Sequence, residues 1–83
     1  SRADLEHVDS AEDHALESAE RSSLYAAIDR LPERDRVAIV SRYFLDLSAE
    51  ETALVLKCRP GAARMRLTRA LSRLRLLLEA HDG

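Results

Sequence analysis

The sequence predicts an all-α domain of four helices, and three observations support that prediction. Leu, Ala and Arg are good helix formers, and they supply 14, 13 and 12 of the 83 residues. Only eight residues are β-branched and Gly and Pro number two each, so a sheet with its turns would lack suitable residues. Apolar residues recur at spacings of three and four along most of the chain, as in amphipathic helices. A chain of this length holds one domain with a modest core.

The first helix is predicted over about residues 11–30. Ser10 is a suitable cap, and acidic residues follow it in the first turn, where they favour the helix dipole. A break near residues 22–23 is an open alternative. The helix should end before Pro32, because the residue preceding a proline avoids the helical region.

The start of the chain is interpreted as a connection rather than as part of the fold. Residues 1–9 lack a clear period, and we expect them to be a linker remnant from a preceding region. The domain itself is expected to span 10–83. Because the chain begins at Ser1 and not at Met, we expect it to be cut from a longer protein.

The second and third helices follow in quick succession. The second is predicted over about 32–45, with acids in its first turn. The third is predicted over 49–56, because Ser48 followed three residues later by Glu51 forms a capping box. The side chains expected on the apolar face of the second helix are Val37, Val40, Tyr43 and Phe44.

The fourth helix, predicted over about 60–80, forms a helix-turn-helix with the third, because only residues 57–59 separate the two. Such a turn favours glycine in a left-handed conformation, and Lys57 stands there instead, at a cost of about 1 kcal/mol. Five small or apolar residues are expected to pack the two helices together: Ala53, Leu56, Cys58, Ala63 and Leu67.

Charge is distributed unevenly, and its distribution points to a nucleic-acid partner. The net charge is −2, but seven acids lie within the first 20 residues, whereas residues 57–78 carry seven bases and no acid. Such a block of positive charge is suited to binding the phosphates of a nucleic acid or an acidic partner. Helical spacing places Arg64, Met65, Thr68 and Arg69 on one outward surface, with side chains suited to base edges in a major groove.

Further arginines flank that surface. Arg59, Arg66 and Arg73 suit phosphate contacts, although Arg66, Arg73 and Arg75 could equally pair with acids of the first two helices. The DNA-contacting residues predicted from the sequence are therefore Arg59, Arg64, Met65, Arg66, Thr68, Arg69 and Arg73.

Several function classes lack the residues that they require. A single cysteine excludes an internal disulfide framework, and no apolar run reaches the length of a membrane span. There is no glycine-rich phosphate loop or catalytic triad pattern, so we expect no enzyme and no cofactor. His7 and His14 are seven residues apart, but no cysteine joins them, and we expect no metal site.

Four blocks in order give the sequence a resemblance to a known family. They are residues 31–36 (LPERDR), 42–44 (RYF), 47–53 (LSAEETA) and 58–71 (CRPGAARMRLTRAL). Over about residues 24–78 the chain resembles region 4 of a bacterial RNA polymerase sigma factor of the extracytoplasmic-function class. In that family glycine is common at positions 46 and 57, and Ile or Val at position 52, where this chain has Asp46, Lys57 and Thr52.

The resemblance implies a four-helix domain with a helix-turn-helix and no wing. It implies recognition of the promoter −35 element as duplex DNA, docking on the β flap of the RNA polymerase core, control by an anti-sigma factor, and a cytoplasmic, nucleoid-associated location without membrane insertion. Two alternatives remain open: a protein-interaction module bound by an anti-sigma factor or an activator, and the DNA-binding output domain of a response regulator.

Overall fold

The computed structural model describes residues 10–82, with side chains from 15 to 80. Within that range it contains four α-helices and no strand, so the all-α prediction is confirmed. The helices are α1 (Ser10–Asp29), α2 (Glu33–Ile39), α3 (Ala49–Leu56) and α4 (Pro60–Asp82). The predicted linker over residues 1–9 and the two-histidine question at His7 and His14 lie outside the described side chains.

Helix α1 is continuous, so the break considered near residues 22–23 does not occur. Its buried side chains lie in its last two turns, where Ala27 and Ile28 are about 95% inaccessible to solvent. Packing of this end against α4 stabilises the helix, while Ala15 to Glu20 are exposed. The amides of Arg30 and Leu31 close a tight turn at Ala27 and Ile28, and Pro32 then leads into α2.

The second helical segment changes its hydrogen-bond pattern at Val40. Residues Val40–Phe44 form a single π-helical turn, in which the Leu45 amide donates to the Val40 carbonyl five residues back. One extra residue in the turn shifts all following side chains around the axis. Of the apolar face expected for this segment, Val37 and Val40 are half-buried and pack against the core as predicted. The same expectation is wrong for Tyr43 and Phe44, which are 61% and 47% exposed.

Helix α3 begins at the expected capping box. The Ser48 hydroxyl accepts from the Glu51 amide at 3.0 Å, and the Glu51 carboxylate accepts from the Ser48 amide at 2.9 Å. Hydrogen bonds to the Glu51 carboxylate from the Ser48 backbone and, to a smaller extent, from the Ser48 side chain lower the pKa of Glu51. Lys57 ends the helix in the left-handed region, with φ 57° and ψ 48°, and Asp46 has φ 54° in the preceding turn.

Two small hydrophobic clusters hold α4 in place. The first packs α1 and α2 on the middle of α4 and contains Ile28, Leu31, Ile39, Ala70 and Leu74 among its buried members. The second joins α2, α3 and the start of α4. Leu67 is partly buried and packs against both clusters, so it connects the helix-turn-helix to the rest of the domain.

Candidate nucleic-acid interface

The second cluster fixes the angle between the two helices of the helix-turn-helix. Ala53, Leu56 and Ala63 are each at most 3% exposed, and Cys58 and Leu67 pack against them. Small side chains at positions 53 and 63 let the helices approach closely. The Cys58 amide also donates to the Ala53 carbonyl at 2.9 Å, which closes the turn. The residues chosen from the sequence for packing thus lie together.

The four residues predicted to face bases form an exposed row on the first half of α4. Arg64, Met65, Thr68 and Arg69 are all exposed, and Met65 is 56% accessible. The Thr68 hydroxyl donates to the Arg64 carbonyl at 3.1 Å, so its oxygen remains able to accept a hydrogen bond. We call Arg64, Met65, Thr68 and Arg69 the reading row.

Arg59 lies immediately before α4, and its carbonyl accepts from the Ala63 amide at 3.0 Å. Its side chain is exposed and has no polar partner among the described residues. Arg69, on the reading row, is likewise exposed and unpaired within the described part of the chain. These two guanidinium groups can therefore bind an anion without first breaking a contact.

Arg66 and Arg73 point away from the reading row, towards the start of α2. Arg66 donates to one carboxylate oxygen of Asp35 at 3.1 Å, and Arg73 donates to the other. Asp35 is fully buried, while the two arginine side chains are 33% and 50% exposed. Arg66 and Arg73 therefore both pair with an acid of an earlier helix, a possibility that the sequence left open.

The two hydrogen bonds that Asp35 accepts from Arg66 and Arg73 also explain why this buried carboxylate is ionised. Burial by itself raises the pKa of Asp35, but the hydrogen bonds and charges of Arg73 and Arg66 outweigh burial and hold the pKa below its ordinary value of 3.8. Asp35 is therefore ionised at neutral pH. The ion pairs join α4 to α2. The sequence pattern, by contrast, marks Asp35 only as an acid in the first turn of a helix.

A small cleft lies between α3 and α4 beside the reading row. Its volume is about 250 Å³, and its walls include Arg42, Thr52, Arg64 and Thr68. Arg42 donates to the Leu47 carbonyl on one side of it. The Thr52 hydroxyl is buried and has no hydrogen-bond partner in the described structure. No group of ligand-type side chains within the described residues could hold a metal ion.

A second, apolar groove runs between α1, the π-helical turn and α4. It encloses about 430 Å³, and it is lined by Leu24, Ile28, Ile39, Tyr43, Phe44, Leu71 and Leu74. The rings of Tyr25 and Phe44 meet at its edge with centroids 5.9 Å apart. We call it the apolar groove. Sequence reasoning missed it, because the π-helical turn that exposes Tyr43 and Phe44 has no recognisable sequence signal.

Comparison with known proteins decides which helix-turn-helix this is. The model of the family described as "Sigma-70, region 4" matches residues 21–74, which include the helix-turn-helix and both clusters. The chain belongs to the sigma-70 region 4 family. This region 4 domain is therefore a non-enzymatic DNA-binding module of a sigma factor, and the response-regulator alternative is excluded.

Curated relatives support the same assignment. The domain is 43% identical over 68 residues to the ECF RNA polymerase sigma factor ShbA of Streptomyces griseus, covering 82% of this chain and 36% of that protein. It is 39% identical over 71 residues to the RNA polymerase sigma-E factor of Streptomyces antibioticus, covering 86% and 39%. The sigma-E factor of Streptomyces avermitilis is 36% identical over 73 residues, covering 88% and 41%.

The region 4 domain thus spans about two fifths of the length of these relatives. No solved structure matches it. None of its described helices is long and apolar enough to cross a bilayer.

Proposed function

We propose that this region 4 domain binds the −35 element by inserting the start of α4 into the major groove of duplex DNA. The observation that supports the proposal is the reading row, which presents two arginines, a hydroxyl and a thioether to solvent on one helix face. Arginine pairs with guanine edges and a thymine methyl accepts an apolar contact. The ligand is double-stranded promoter DNA.

The arginines divide into two groups in this proposal. Arg64 and Arg69 contact base edges, and Arg59 contacts the phosphate backbone next to the start of α4. Arg66 and Arg73 remain predicted to be close to phosphate, but their Nη1 atoms are committed to Asp35. Their contribution to DNA binding is therefore expected to be smaller than that of the unpaired Arg59 and Arg69.

Fluorescence anisotropy of a labelled duplex, titrated with the 83-residue chain over a series of salt concentrations, tests the proposal. Neutralising about five phosphates predicts a slope of log affinity against log salt of roughly −4 to −6. Arg64→Glu and Arg69→Glu should each abolish preference for a −35-like site. Arg21→Glu is the matched control, because Arg21 is exposed on α1, outside the helix-turn-helix.

Salt-independent binding would contradict the proposal, since phosphate contacts release counterions. So would an equal effect of the charge change at Arg21 and at Arg64, because that would show a general dependence on net charge. Circular dichroism of each variant separates a lost contact from a lost fold.

We propose further that the β flap of the RNA polymerase core binds in the apolar groove. We also propose that the domain acts in the cytoplasm, at the nucleoid, on promoter-bound polymerase. An apolar groove between helices suits a partner segment that presents an apolar face. The two large rings at its rim are exposed to solvent in the free domain. This surface does not include the reading row, so both partners can bind at once.

Substitution at the rim tests polymerase docking. Phe44→Asp should weaken capture of the polymerase core at least tenfold while leaving duplex binding unchanged. Leu54→Asp is the control, because Leu54 is 78% exposed on α3 and does not line the groove. Equal losses in both variants would contradict the assignment of the groove.

The alternative function, a protein-interaction module, is favoured by the same groove. An anti-sigma factor or an activator that covers the apolar groove or the reading row would control the domain. Charge reversal at Arg64 and Arg69 distinguishes the alternatives: a DNA-reading domain loses duplex binding and keeps a partner bound at the groove. Loss of the protein partner with unchanged DNA binding would favour the alternative.

A further inference from the structure

An acidic residue of α3 holds one arginine of the reading row. Arg64 Nη2 lies 3.1 Å from Glu50 Oε1, and the contact joins the first turn of α3 to the first turns of α4. The two side chains are 60% and 65% exposed. Only this one nitrogen of Arg64 is engaged by a side chain within the described structure, so its other N–H donors face solvent.

This contact contributes little to the fold. An exposed ion pair stabilises a protein by less than about 1 kcal/mol, because water screens the charges and both side chains lose freedom. The second hydrophobic cluster already fixes α3 against α4, and the Asp35 ion pairs fix α4 against α2. We therefore expect the contact between Glu50 and Arg64 to affect DNA binding rather than stability.

Glu50 changes two properties of that surface. It restricts the Arg64 guanidinium before DNA arrives, which lowers the entropy lost when the guanidinium meets a base edge. It also places a negative charge beside the basic face, which disfavours the approach of phosphate at any sequence. Arg69, the other arginine of the row, has no such partner within the described residues.

We propose that Glu50 is a positioning residue for sequence discrimination: it stays paired with Arg64 in the DNA complex and aims the free donors of that guanidinium at one base pair. The inference rests on the proposed function of the reading row. It predicts that loss of Glu50 has opposite effects on specific and on unspecific binding.

The test compares dissociation constants for three duplexes at one salt concentration. The first carries the preferred site, the second differs from it at the base pair whose discrimination Arg64→Ala abolishes, and the third is unrelated. Glu50→Ala should lower discrimination between the first two by about two- to fivefold, the range that one exposed ion pair spans. It should tighten binding of the unrelated duplex, since a repelling charge is gone.

Three controls sharpen the result. In an Arg64→Ala background Glu50→Ala should no longer change discrimination. Glu50→Gln keeps an acceptor for Arg64 without the charge, so it should retain most of the discrimination and still tighten unspecific binding. Glu33→Ala removes an exposed acid of α2 and should change neither quantity.

Two outcomes overturn the inference alone. If Glu50→Ala tightens the preferred and the varied duplex equally, Glu50 only repels phosphate. If it changes neither, the pair is an inert surface contact. Absence of salt-dependent duplex binding by the unchanged chain would instead overturn the proposed function, and this inference with it.

Discussion

The ion pairs of Asp35 with Arg66 and Arg73 should contribute measurably to the stability of the domain. The perturbation is Arg66→Met and Arg73→Met, singly and together, which removes one or both cations while keeping much of each apolar stem. Arg75→Met is the matched control, because Arg75 is exposed on the same helix and has no partner in the described structure.

The magnitude follows from the burial of Asp35. Each arginine gives the carboxylate one charge-assisted hydrogen bond, of a kind that contributes about 1.5–3 kcal/mol. A single replacement leaves one cation and should cost about that amount. The double replacement leaves an uncompensated charge in a site with no solvent access, which costs about 3–5 kcal/mol.

Urea denaturation followed by far-ultraviolet circular dichroism measures these losses. A chain of 83 residues has a total stability of roughly 4–12 kcal/mol, so the double variant should lose between about a quarter of that stability and all of it. Adding Asp35→Leu to the double variant should restore stability, because an apolar trio leaves no buried charge. The control Arg75→Met should stay within about 0.5 kcal/mol of the unchanged domain.

A double variant no less stable than Arg75→Met would refute this reasoning. It would mean that Asp35 reaches water or takes up a proton at neutral pH at no cost. A triple variant as unstable as the double would point instead to lost packing by the arginine stems.

Four further outcomes are expected in the same denaturation assay. Thr52→Val should stabilise the domain by about 1 kcal/mol, because it removes a buried hydroxyl without a partner; a loss would show that the hydroxyl is bonded to water. Lys57→Gly should stabilise it by about 1 kcal/mol and Asp46→Gly by less, since aspartate tolerates a positive φ better than lysine; equal gains would contradict this. Ser48→Ala should destabilise it by about 1 kcal/mol through the lost cap, unless another group caps α3. The lowered pKa of Asp35 contributes stability that is fully present above the ordinary pKa of 3.8 and is lost as the pH falls through the lower folded-state pKa. Asp35→Asn should therefore remove this acid-sensitive part of the free energy of unfolding. An unchanged dependence of stability on pH would contradict this prediction.

The fold was largely predictable because its signals are local. The capping box at Ser48, the proline at position 60 and the three-residue turn each depend on a few neighbouring residues. The left-handed conformation at Lys57 followed from the same turn, although the residue is not glycine. The reading row followed from helical spacing alone, since α4 is regular over that stretch.

The remainder depends on contacts between residues distant in sequence. Asp35 is separated from Arg66 and Arg73 by 31 and 38 residues, so no local pattern marks it as buried. The Glu50–Arg64 contact depends on the angle at which α3 and α4 cross. The π-helical turn at Val40 shifts Tyr43 and Phe44 by a rotation that ideal periodicity cannot anticipate.

Selection of duplex DNA from a random library by the 83-residue chain at low salt, repeated with Arg64→Glu, tests whether the reading row recognises the promoter. The unchanged chain should enrich a short −35-like motif, and the variant should enrich none. Enrichment of the same motif by Arg64→Glu, or of no motif by either chain, would contradict the claim that the exposed row on α4 reads the promoter.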